Sequence, residues 1–241
     1  MSDPETNQKW LLDATPDLTE QLHEADKIQK GNLSGIFLTH AHIGHYSGLM
    51  YLGREALNAK EIPVYTMPRM YDYLKSNGPW SQLVSLKNIE LKKLKADSTI
   101  KLTDKISVTP ILVPHRDEFS ETVGFSIKTA NKSVLFIPDI DKWQKWDHDI
   151  KQLVKQYDLL FLDGTFYKDG ELPSRKMSEV QHPFIEESVE VFKGLTAFEK
   201  HKIYFIHFNH TNKLLNKDSK QSKTVLANGF NIARLGDEIE L

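Results

Sequence analysis

Three histidines lie close together in the segment His40-Ala41-His42-Ile43-Gly44-His45. The segment follows Gly35 to Thr39, an apolar run that is typical of a buried strand. His40 and His42 are two positions apart, so their side chains leave the same face of an extended chain. Neutral imidazoles in this arrangement can bind one cation. His45 falls at the turn into a predicted helix, where it can reach a second cation beside the first.

Other ionisable residues also follow apolar runs of strand length, each directly after its run ends. In layered α/β folds, ligands bind beyond the carboxyl ends of the strands, so these side chains can meet at one edge. One such residue alone is more often a turn former or a hydrogen-bonded polar group. Their recurrence beside the histidine cluster therefore indicates a site. The strand-end residues are Asp13, His40, His115, Asp139, Asp163 and His207.

The candidate ligands offer histidine nitrogen and aspartate oxygen, a set that suits Zn, Fe or Mn. The chain has no cysteine, which excludes thiolate ligands, disulfides and cysteine nucleophiles. Asp139 is the predicted bridging ligand, because one carboxylate can bind two cations. A water bound between cations becomes hydroxide near neutral pH. The predicted chemistry is attack of a metal-bound hydroxide on a carbonyl or phosphoryl centre.

The periodicity of the chain predicts an α/β fold, with layers of sheet and helices outside them. Asp17 is predicted to cap a helix from Leu18 to about Ile28, and Ala130-Asn131-Lys132 predicts a hairpin turn. The strand-like runs are Trp10 to Ala14, Gly35 to Thr39, Ile62 to Thr66, Ile106 to Val113, Val123 to Thr129, Val134 to Ile137, Leu159 to Leu162 and Ile203 to Phe208. The helical stripes are Leu49, Leu52 and Ala56; Ile150, Leu153, Val154 and Tyr157; and Ile185, Val189, Phe192 and Leu195.

Composition narrows the class of protein. The 241 residues, 39% of them apolar, can bury a substantial core. The net charge of −2 gives no overall basic field, so neither nucleic acid nor an anionic membrane is an expected partner. No stretch approaches the length of a membrane span, and the N-terminus has no apolar signal region. We therefore expect a cytoplasmic protein with a small-molecule substrate.

The segment Thr39 to His45, followed in order by His115, Asp139 and His207, resembles the metal motifs of the metallo-β-lactamase superfamily. Within it, the chain is most similar to the pyrroloquinoline-quinone biosynthesis protein B group, and more loosely to the tRNase Z and phosphodiesterase branch. The resemblance covers nearly the whole chain and implies a single domain over residues 1–241, folded as a four-layer αββα sandwich with metals at one edge. The stretches that carry it are Asp13 to Leu18, Thr39 to Leu49, Phe161 to Thr165 and Ile206 to Asn212.

The resemblance also implies roles for individual residues. Asp13 supports the metal loop, and His182 matches a histidine that assists leaving-group departure, which predicts a general acid or a substrate contact. Asp163 either orients a ligand histidine or forms a hydrogen-bonded turn. The implied ligands are His40, His42 and His115 for the first metal, with Asp139 as the bridge and His45 and His207 on the second.

Two features depart from the family pattern. Gly44 stands where the family carries an aspartate that helps to hold the second metal, so this second site is expected to be weak, empty or rebuilt. His182 or His210 could replace that ligand, although His210 is equally a candidate for a surface turn. Few residues precede Trp10, so the usual N-terminal strand pair is expected to be missing; a truncated chain, an alternative start or an edge covered by another subunit would account for this.

Three functions are consistent with these residues. The first is a hydrolase with one or two zinc ions, or with Fe or Mn, in which His182 and Asp139 are the predicted catalytic residues. The second is an iron-dependent oxygenation of a tyrosine-derived precursor, which the cofactor-biosynthesis resemblance implies. The third is a non-catalytic, metal-stabilised binding protein. Fold resemblance cannot choose among them, because function depends on the site.

Overall fold

The computed structural model describes residues 1–173 and 176–241, and these residues form two compact units. The first unit contains Met1–Ser98 and Asp117–Val123, and the second contains Thr99–Arg116 and Gly124–Leu241. Each unit has its own hydrophobic core. The assignment of residues 1–241 to a single domain stays a prediction.

The first unit is built on a mostly parallel sheet with helices between its strands. In chain order its elements are β1 (Ser2–Asp3), β2 (Gln8–Leu12), α1 (Leu18–Ile28), β3 (Asn32–Phe37), α2 (Ile43–Tyr46), a 3-10 helix (Ser47–Leu52), β4 (Ile62–Thr66), α3 (Pro68–Ser76), α4 (Trp80–Ser85) and β5 (Ile89–Lys93). The strand order is β1-β2-β3-β4-β5, with β1 antiparallel to β2 and the other neighbours parallel. The carboxyl ends of β2 and β3 therefore lie at the same edge of this sheet.

The second unit contains a mixed sheet. In chain order its elements are β6 (Ile100–Lys101), β7 (Ser107–Leu112), β8 (Val123–Lys128, whose first residue belongs to the first unit), β9 (Ser133–Ile137), a 3-10 helix (Trp143–Lys145), α5 (Ile150–Gln156), β10 (Leu159–Asp163), a 3-10 helix (Met177–Glu179), α6 (Ile185–Val191), α7 (Ala197–His201), β11 (Ile203–Ile206), a 3-10 helix (Lys213–Leu215), α8 (Lys220–Ala227) and β12 (Asn231–Ile232). The strand order is β12-β11-β10-β9-β8-β7-β6. Because β9, β10 and β11 run parallel to one another, their carboxyl ends share one edge.

Apolar side chains on the sheets and helices form the two cores. Alternate positions of the strands face inward, which buries the β-branched and aromatic residues that favour strand structure. In the first unit the fully buried set includes Leu18, Ile36, Leu49, Leu52, Val64 and Leu74. In the second it includes Leu135, Ile137, Leu160, Leu162, Phe192 and Phe205. No helix within residues 1–173 and 176–241 is both long enough and apolar enough to cross a membrane.

Most of the elements predicted from periodicity are present. Every predicted strand-like run corresponds to a strand; β4 has the predicted bounds, the other strands have shifted bounds, and α1 spans the predicted Leu18–Ile28. Lys128 pairs with Ser133 across an antiparallel hairpin, as Ala130-Asn131-Lys132 predicts. Asp17 stands at the start of α1, but among the described residues its side chain makes no capping hydrogen bond. The short strand β1 was not predicted; it precedes β2, the first predicted strand, and pairs with it.

Each predicted helical stripe runs past the end of its helix: α5 ends at Gln156, before Tyr157, and α6 ends at Val191, before Phe192 and Leu195. The stripe Leu49, Leu52 and Ala56 predicts a single helical face, but the 3-10 helix that carries Leu49 ends at Leu52. Gly53 is extended, with ψ of 168°, and its carbonyl then accepts the N–H of Asn58. Ala56 therefore lies in a turn rather than on the helix.

Candidate metal centre

Asp13, directly after β2, is the centre of a buried network in the first unit. Its Oδ1 accepts the backbone N–H of Thr39 at 2.7 Å, and its Oδ2 lies 2.9 Å from the Thr39 hydroxyl. Oδ2 also lies 2.7 Å from Nδ1 of His45. Asp13 adopts a left-handed conformation, with φ of 64°, which aspartate accepts more readily than most residues. We call Asp13, Thr39, His40 and His45 the Asp13 network.

Gly48 allows α2 to approach the segment after β2, so that His45 reaches Asp13. The N–H of Ala14 donates to the carbonyl of His45 at 2.7 Å, and the N–H of Gly48 donates to the carbonyl of Ala14 at 2.9 Å. A Cβ atom on Gly48 would lie 2.1 Å from the carbonyl oxygen of Thr15. Only glycine fits this approach, and the position of His45 depends on it.

The partners of the three histidines determine which ring nitrogen of each carries a lone pair. The Asp13 carboxylate can only accept, so the Thr39 hydroxyl donates to it and accepts from His40 Nδ1 at 2.9 Å. His45 Nδ1 donates to the same carboxylate. His42 Nε2 donates to the Glu118 carboxylate at 2.9 Å. Lone pairs therefore remain on His40 Nε2, His42 Nδ1 and His45 Nε2.

His40 and His42 direct their lone pairs toward each other. Nε2 of His40 and Nδ1 of His42 lie 2.8 Å apart. Two lone pairs at this distance repel unless a proton or a cation lies between them. Zinc binds histidine nitrogen at about 2.0–2.1 Å, so the pair can chelate one ion after a small separation of the rings. The donor set of the first unit therefore fits a transition-metal ion.

Asp163, the last residue of β10, is the centre of a matching network in the second unit. Its Oδ1 accepts the N–H and the hydroxyl of Thr165 at 2.9 and 2.7 Å, and its Oδ2 lies 2.8 Å from His182 Nδ1. The Thr165 hydroxyl accepts in turn from His207 Nδ1 at 2.9 Å. These hydrogen bonds leave a lone pair on Nε2 of His207, and they leave Nε2 of His182 as the atom that can gain or release a proton. We call Asp163, Thr165, His182 and His207 the Asp163 network.

Asp139, two residues beyond β9, lies against both histidines of the Asp163 network. Its Oδ1 is 3.2 Å from His182 Nδ1 and 3.5 Å from His207 Nδ1. Asp139, Asp163 and His182 each offer a ligand atom, and these atoms lie within 4.8 Å of one another. His207 has a positive φ of 61°, an uncommon conformation that is concentrated at functional sites. The second unit thus gathers carboxylate oxygen and histidine nitrogen at one sheet edge.

The electrostatic environment of His182 favours its charged form. Burial disfavours the charge on this ring, but the carboxylates of Asp163 and Asp139 outweigh the burial and raise the pKa of His182 above its ordinary value. Its side chain is 14% exposed. The ring is therefore held by two acidic groups and retains some contact with solvent.

His115 has a carboxylate neighbour that sequence reasoning missed. Its side chain is fully buried, and Nδ1 lies 3.3 Å from Oδ1 of Asp141. Lys145 Nζ donates to Oδ2 of Asp141 at 3.0 Å, and the backbone N–H of Asp141 donates to the carbonyl of Pro114 at 2.7 Å. Lys145 and the Pro114 carbonyl thus keep the carboxylate of Asp141 beside the ring of His115. Its place two residues after Asp139 was the available signal.

The remaining site predictions are distributed as follows. His40, His42 and His45 belong to the first unit, whereas His115, Asp139, His182 and His207 belong to the second, and their joint binding of metal stays a prediction. Asp163 forms the predicted hydrogen-bonded turn with Thr165 and also contacts His182, which is not one of the predicted ligands. His210 is exposed and belongs to no cluster of converging ligand atoms among the described residues. Gly44 lies within α2, where an added Cβ would meet nothing within 4 Å.

These features define a mixed α/β protein with two helix-flanked sheets and with histidines and carboxylates at the strand ends. Residues 8–208 match the beta-lactamase superfamily domain, and the chain belongs to this superfamily. Both the predicted membership and the predicted metallo-β-lactamase fold are confirmed.

Relatives and solved structures agree with this assignment. The chain is 26% identical to coenzyme PQQ synthesis protein B of Acinetobacter baumannii, over 98% of this chain and 85% of that protein. It is 25% identical to the protein of the same name from Cupriavidus necator, over 96% and 83% of the two chains. The crystal structure of Zn²⁺-bound PqqB from Methylobacterium extorquens is similar with a TM-score of 0.78 and 21% identity, covering 96% of this chain and 83% of that one. Human tRNase Z, short form, has a TM-score of 0.54 at 18% identity, covering 83% and 82%.

Proposed function

We propose that this protein is a metal-dependent hydrolase that cleaves an ester or phosphodiester bond in a small-molecule substrate. The observation that carries the proposal is the 2.8 Å separation of His40 Nε2 and His42 Nδ1. His40 Nδ1 and His42 Nε2 are each hydrogen-bonded to an oxygen atom, so they do not face each other. A cation bound between His40 Nε2 and His42 Nδ1 would make the short distance between these two nitrogens favourable. Members of the superfamily whose fold the chain shares, such as tRNase Z, support hydrolysis as the class of reaction. We place the activity in the cytoplasm, a compartment that a chain without cysteine tolerates as well as any other.

The proposal assigns the ligands by residue. His40, His42 and His115 would hold a first ion, His45 and His207 would hold a second, and Asp139 would supply a carboxylate to both. Nitrogen and carboxylate ligands favour zinc and admit iron or manganese. When bound, such a metal supplies Lewis acidity and lowers the pKa of a bound water. Asp13, Thr39, Asp163 and Thr165 keep the ligand nitrogens deprotonated and oriented.

His182 has a separate role in the proposal, as the group that contacts the substrate or protonates the leaving group. Its Nδ1 is held by Asp163, so Nε2 is the atom that holds or releases a proton. His182 follows the Asp163-Gly164-Thr165 segment and lies outside the strands that carry the predicted ligands.

Metal analysis of the full chain purified without added metal, followed by hydrolysis assays, tests the proposal. We expect bound zinc and chelator-sensitive cleavage of bis(p-nitrophenyl) phosphate or a p-nitrophenyl ester, with activity restored by zinc. His182→Ala should keep the metal and slow turnover, whereas His40→Ala should lose both. A zinc-loaded protein without activity on either substrate class would contradict the hydrolase assignment. Loss of metal from His182→Ala would make His182 a ligand.

A second candidate rests on the relatives named for coenzyme PQQ synthesis, which match this chain over nearly its whole length. By this likeness, the protein would act in cofactor synthesis as an iron-dependent oxygenase on a tyrosine-derived precursor. Gly44 supplies no carboxylate to a second ion, which leaves room for a single open metal site. Iron in the purified protein, with dioxygen consumption in the presence of such a precursor, would favour this candidate. Absence of any metal would favour a non-catalytic binding protein.

A further inference from the structure

We propose that Glu118 is a positioning residue that fixes the ring of His42 for metal binding. The inference rests on the proposed function insofar as it concerns metal affinity. Its structural part, the orientation and tautomer of His42, can be tested on the metal-free protein. Glu118 lies outside every motif that identified the other candidate residues.

Glu118 belongs to the segment Asp117–Val123. This segment runs along residues 39–42, which follow β3 and which we call the ligand segment. The N–H of Val123 donates to the carbonyl of Thr39 at 3.1 Å, and the N–H of Ala41 donates to the Ser120 hydroxyl at 2.8 Å. Glu118 Oε2 then meets Nε2 of His42 at 2.9 Å. We call Asp117–Val123 the clasp segment, because it binds the ligand segment at three successive places.

The clasp segment is itself anchored within the first unit. Arg69 Nη2 donates to the carbonyl of Asp117 at 2.8 Å, and the backbone N–H of Arg69 donates to Glu121 Oε2 at 3.0 Å. The Thr122 hydroxyl donates to Asp117 Oδ1 at 2.8 Å. The ring of Phe119 packs at 5.3 Å from the ring of Tyr73. Glu118 therefore extends from a fixed backbone, and its contact with His42 does not depend on a freely moving loop.

The chemistry of the contact assigns the role. A carboxylate can only accept, so His42 carries its proton on Nε2 and presents the Nδ1 lone pair toward His40. The negative charge of the partner also raises the basicity of the ligand nitrogen. Without Glu118, the proton can move to Nδ1, where it blocks the metal. Glu118 thus does for His42 what Asp13 does for His45.

The exposure of the pair sets the size of the effect. The side chain of Glu118 is 47% exposed and that of His42 is 22% exposed, so water can partly replace the carboxylate. Outer partners of metal-bound histidine contribute about 10–100-fold to metal affinity, and a half-exposed partner belongs at the low end of that range. We therefore expect a loss of about 10-fold in zinc affinity when Glu118 is removed.

The test compares Glu118→Ala and Glu118→Gln with the matched control Glu121→Gln. Glu121 lies in the same segment and loses the same charge, but its partner is the backbone N–H of Arg69, which the amide oxygen of glutamine can still accept. Two readouts are taken on the full chain: the Kd for zinc by competition with a chromogenic chelator, and the imidazole nitrogen NMR signals of the metal-free protein. The His42 signals are assigned with a His42→Gln variant.

In the unmodified protein we expect His42 to be protonated on Nε2. Glu118→Ala should weaken zinc binding about 10-fold and give a mixture of His42 tautomers. Glu118→Gln should have a zinc Kd between those of Glu118→Ala and the unmodified protein, since its amide oxygen accepts but carries no charge. Glu121→Gln should match the unmodified protein. The proposal is overturned if His42 keeps the Nε2–H form in Glu118→Ala, or if the zinc Kd follows the control. If the unmodified protein binds no zinc, the proposed function fails, while the tautomer comparison still decides the role of Glu118.

Discussion

In each of the two units, one strand-end aspartate and one threonine orient two histidines by hydrogen bonds. In the Asp13 network, Asp13 binds His45 directly and Thr39 by its N–H and hydroxyl, and Thr39 binds His40. The carboxylate thus orients one ring itself and a second ring through a hydroxyl.

The Asp163 network repeats this arrangement with different spacing. Asp163 binds His182 directly and Thr165 by its N–H and hydroxyl, and Thr165 binds His207. Threonine lies 26 positions from its aspartate in the Asp13 network but only two positions away in the Asp163 network. The first network therefore requires β2 and β3 to pair, whereas the core of the second is a local turn. The same orienting chemistry can be built by long-range pairing or by a turn.

The largest effects should come from removal of the predicted ligands themselves. His40→Ala and His42→Ala in the first unit, and His115→Ala in the second, should each abolish stoichiometric metal and lower the Tm, because bound metal stabilises the folded state. Elemental analysis and thermal unfolding measure these changes. Unchanged metal content in all three variants would remove the assignment of the first metal. Loss of metal only in the first-unit variants would limit the ligand set to that unit.

The aspartates should come next, and a double-mutant cycle sharpens the comparison. Asp13→Asn and Asp163→Asn each place amide hydrogens against N–H and hydroxyl donors, so each should lower the free energy of unfolding by roughly 2–4 kcal/mol. Within the Asp13 network, Asp13→Asn and Thr39→Val should be strongly non-additive, since both remove the same hydrogen bond. Chemical denaturation of the single and double variants measures the coupling. Additive effects within that pair would show that the network contributes no joint stability.

The threonine hydroxyls should have smaller effects, with a difference between the units. Thr39→Val leaves His40 Nδ1 and Asp13 short of a partner in a region where Thr39 and His40 are each 1% exposed. The side chain of His207 is 32% exposed, so water can replace part of the Thr165 hydroxyl's contribution. We expect Thr39→Val to cost about 1–2 kcal/mol, more than Thr165→Val, and serine to restore stability at both positions. Equal costs, or no rescue by serine, would contradict the role of the hydroxyls.

Gly44 should give the smallest effect on stability and a specific effect on metal. In the unmodified protein, the second metal site should be partly occupied and should readily lose its ion to chelator, because its proposed protein ligands are Asp139, His45 and His207 alone. Gly44→Asp should raise the affinity of this second ion, since an added Cβ meets nothing within 4 Å. Gly44→Ala, the control for backbone effects, should change stability by no more than about 1 kcal/mol and leave metal binding unaltered. Two equally tight ions in a titration of the unmodified protein would refute the unequal sites.

The sequence is sufficient to predict the ionisable residues at the strand ends. It is insufficient to predict the contacts that orient their side chains. Asp13, His40, Asp139 and His207 were identified because each follows a buried apolar run, and that pattern is local. Thr39 was part of the recognised motif, but its bond to Asp13 depends on the register of β2 against β3.

Glu118 and Asp141 show the limit more clearly. Glu118 sits in a segment without periodicity and meets a histidine 76 positions away in sequence. Asp141 approaches His115 through a bend after β9 that no propensity specifies. Each depends on tertiary packing, which a single sequence does not encode as a readable pattern. The helical stripe through Ala56 failed for a related reason, because the extended Gly53 ends the helix.

Gly48 has a consequence for how variation in this chain should be distributed. The 2.1 Å approach of its missing Cβ to the Thr15 carbonyl leaves no side chain an accommodating rotamer, because the clash precedes the first χ angle. In a library that samples every amino acid at each position, selection for metal binding should therefore leave position 48 invariant, although Gly48 offers no side chain to a metal. Position 44, one turn earlier and beside the ligands themselves, should accept many replacements. Tolerance to substitution near this centre would then depend on the space around the Cβ position rather than on distance from the metal.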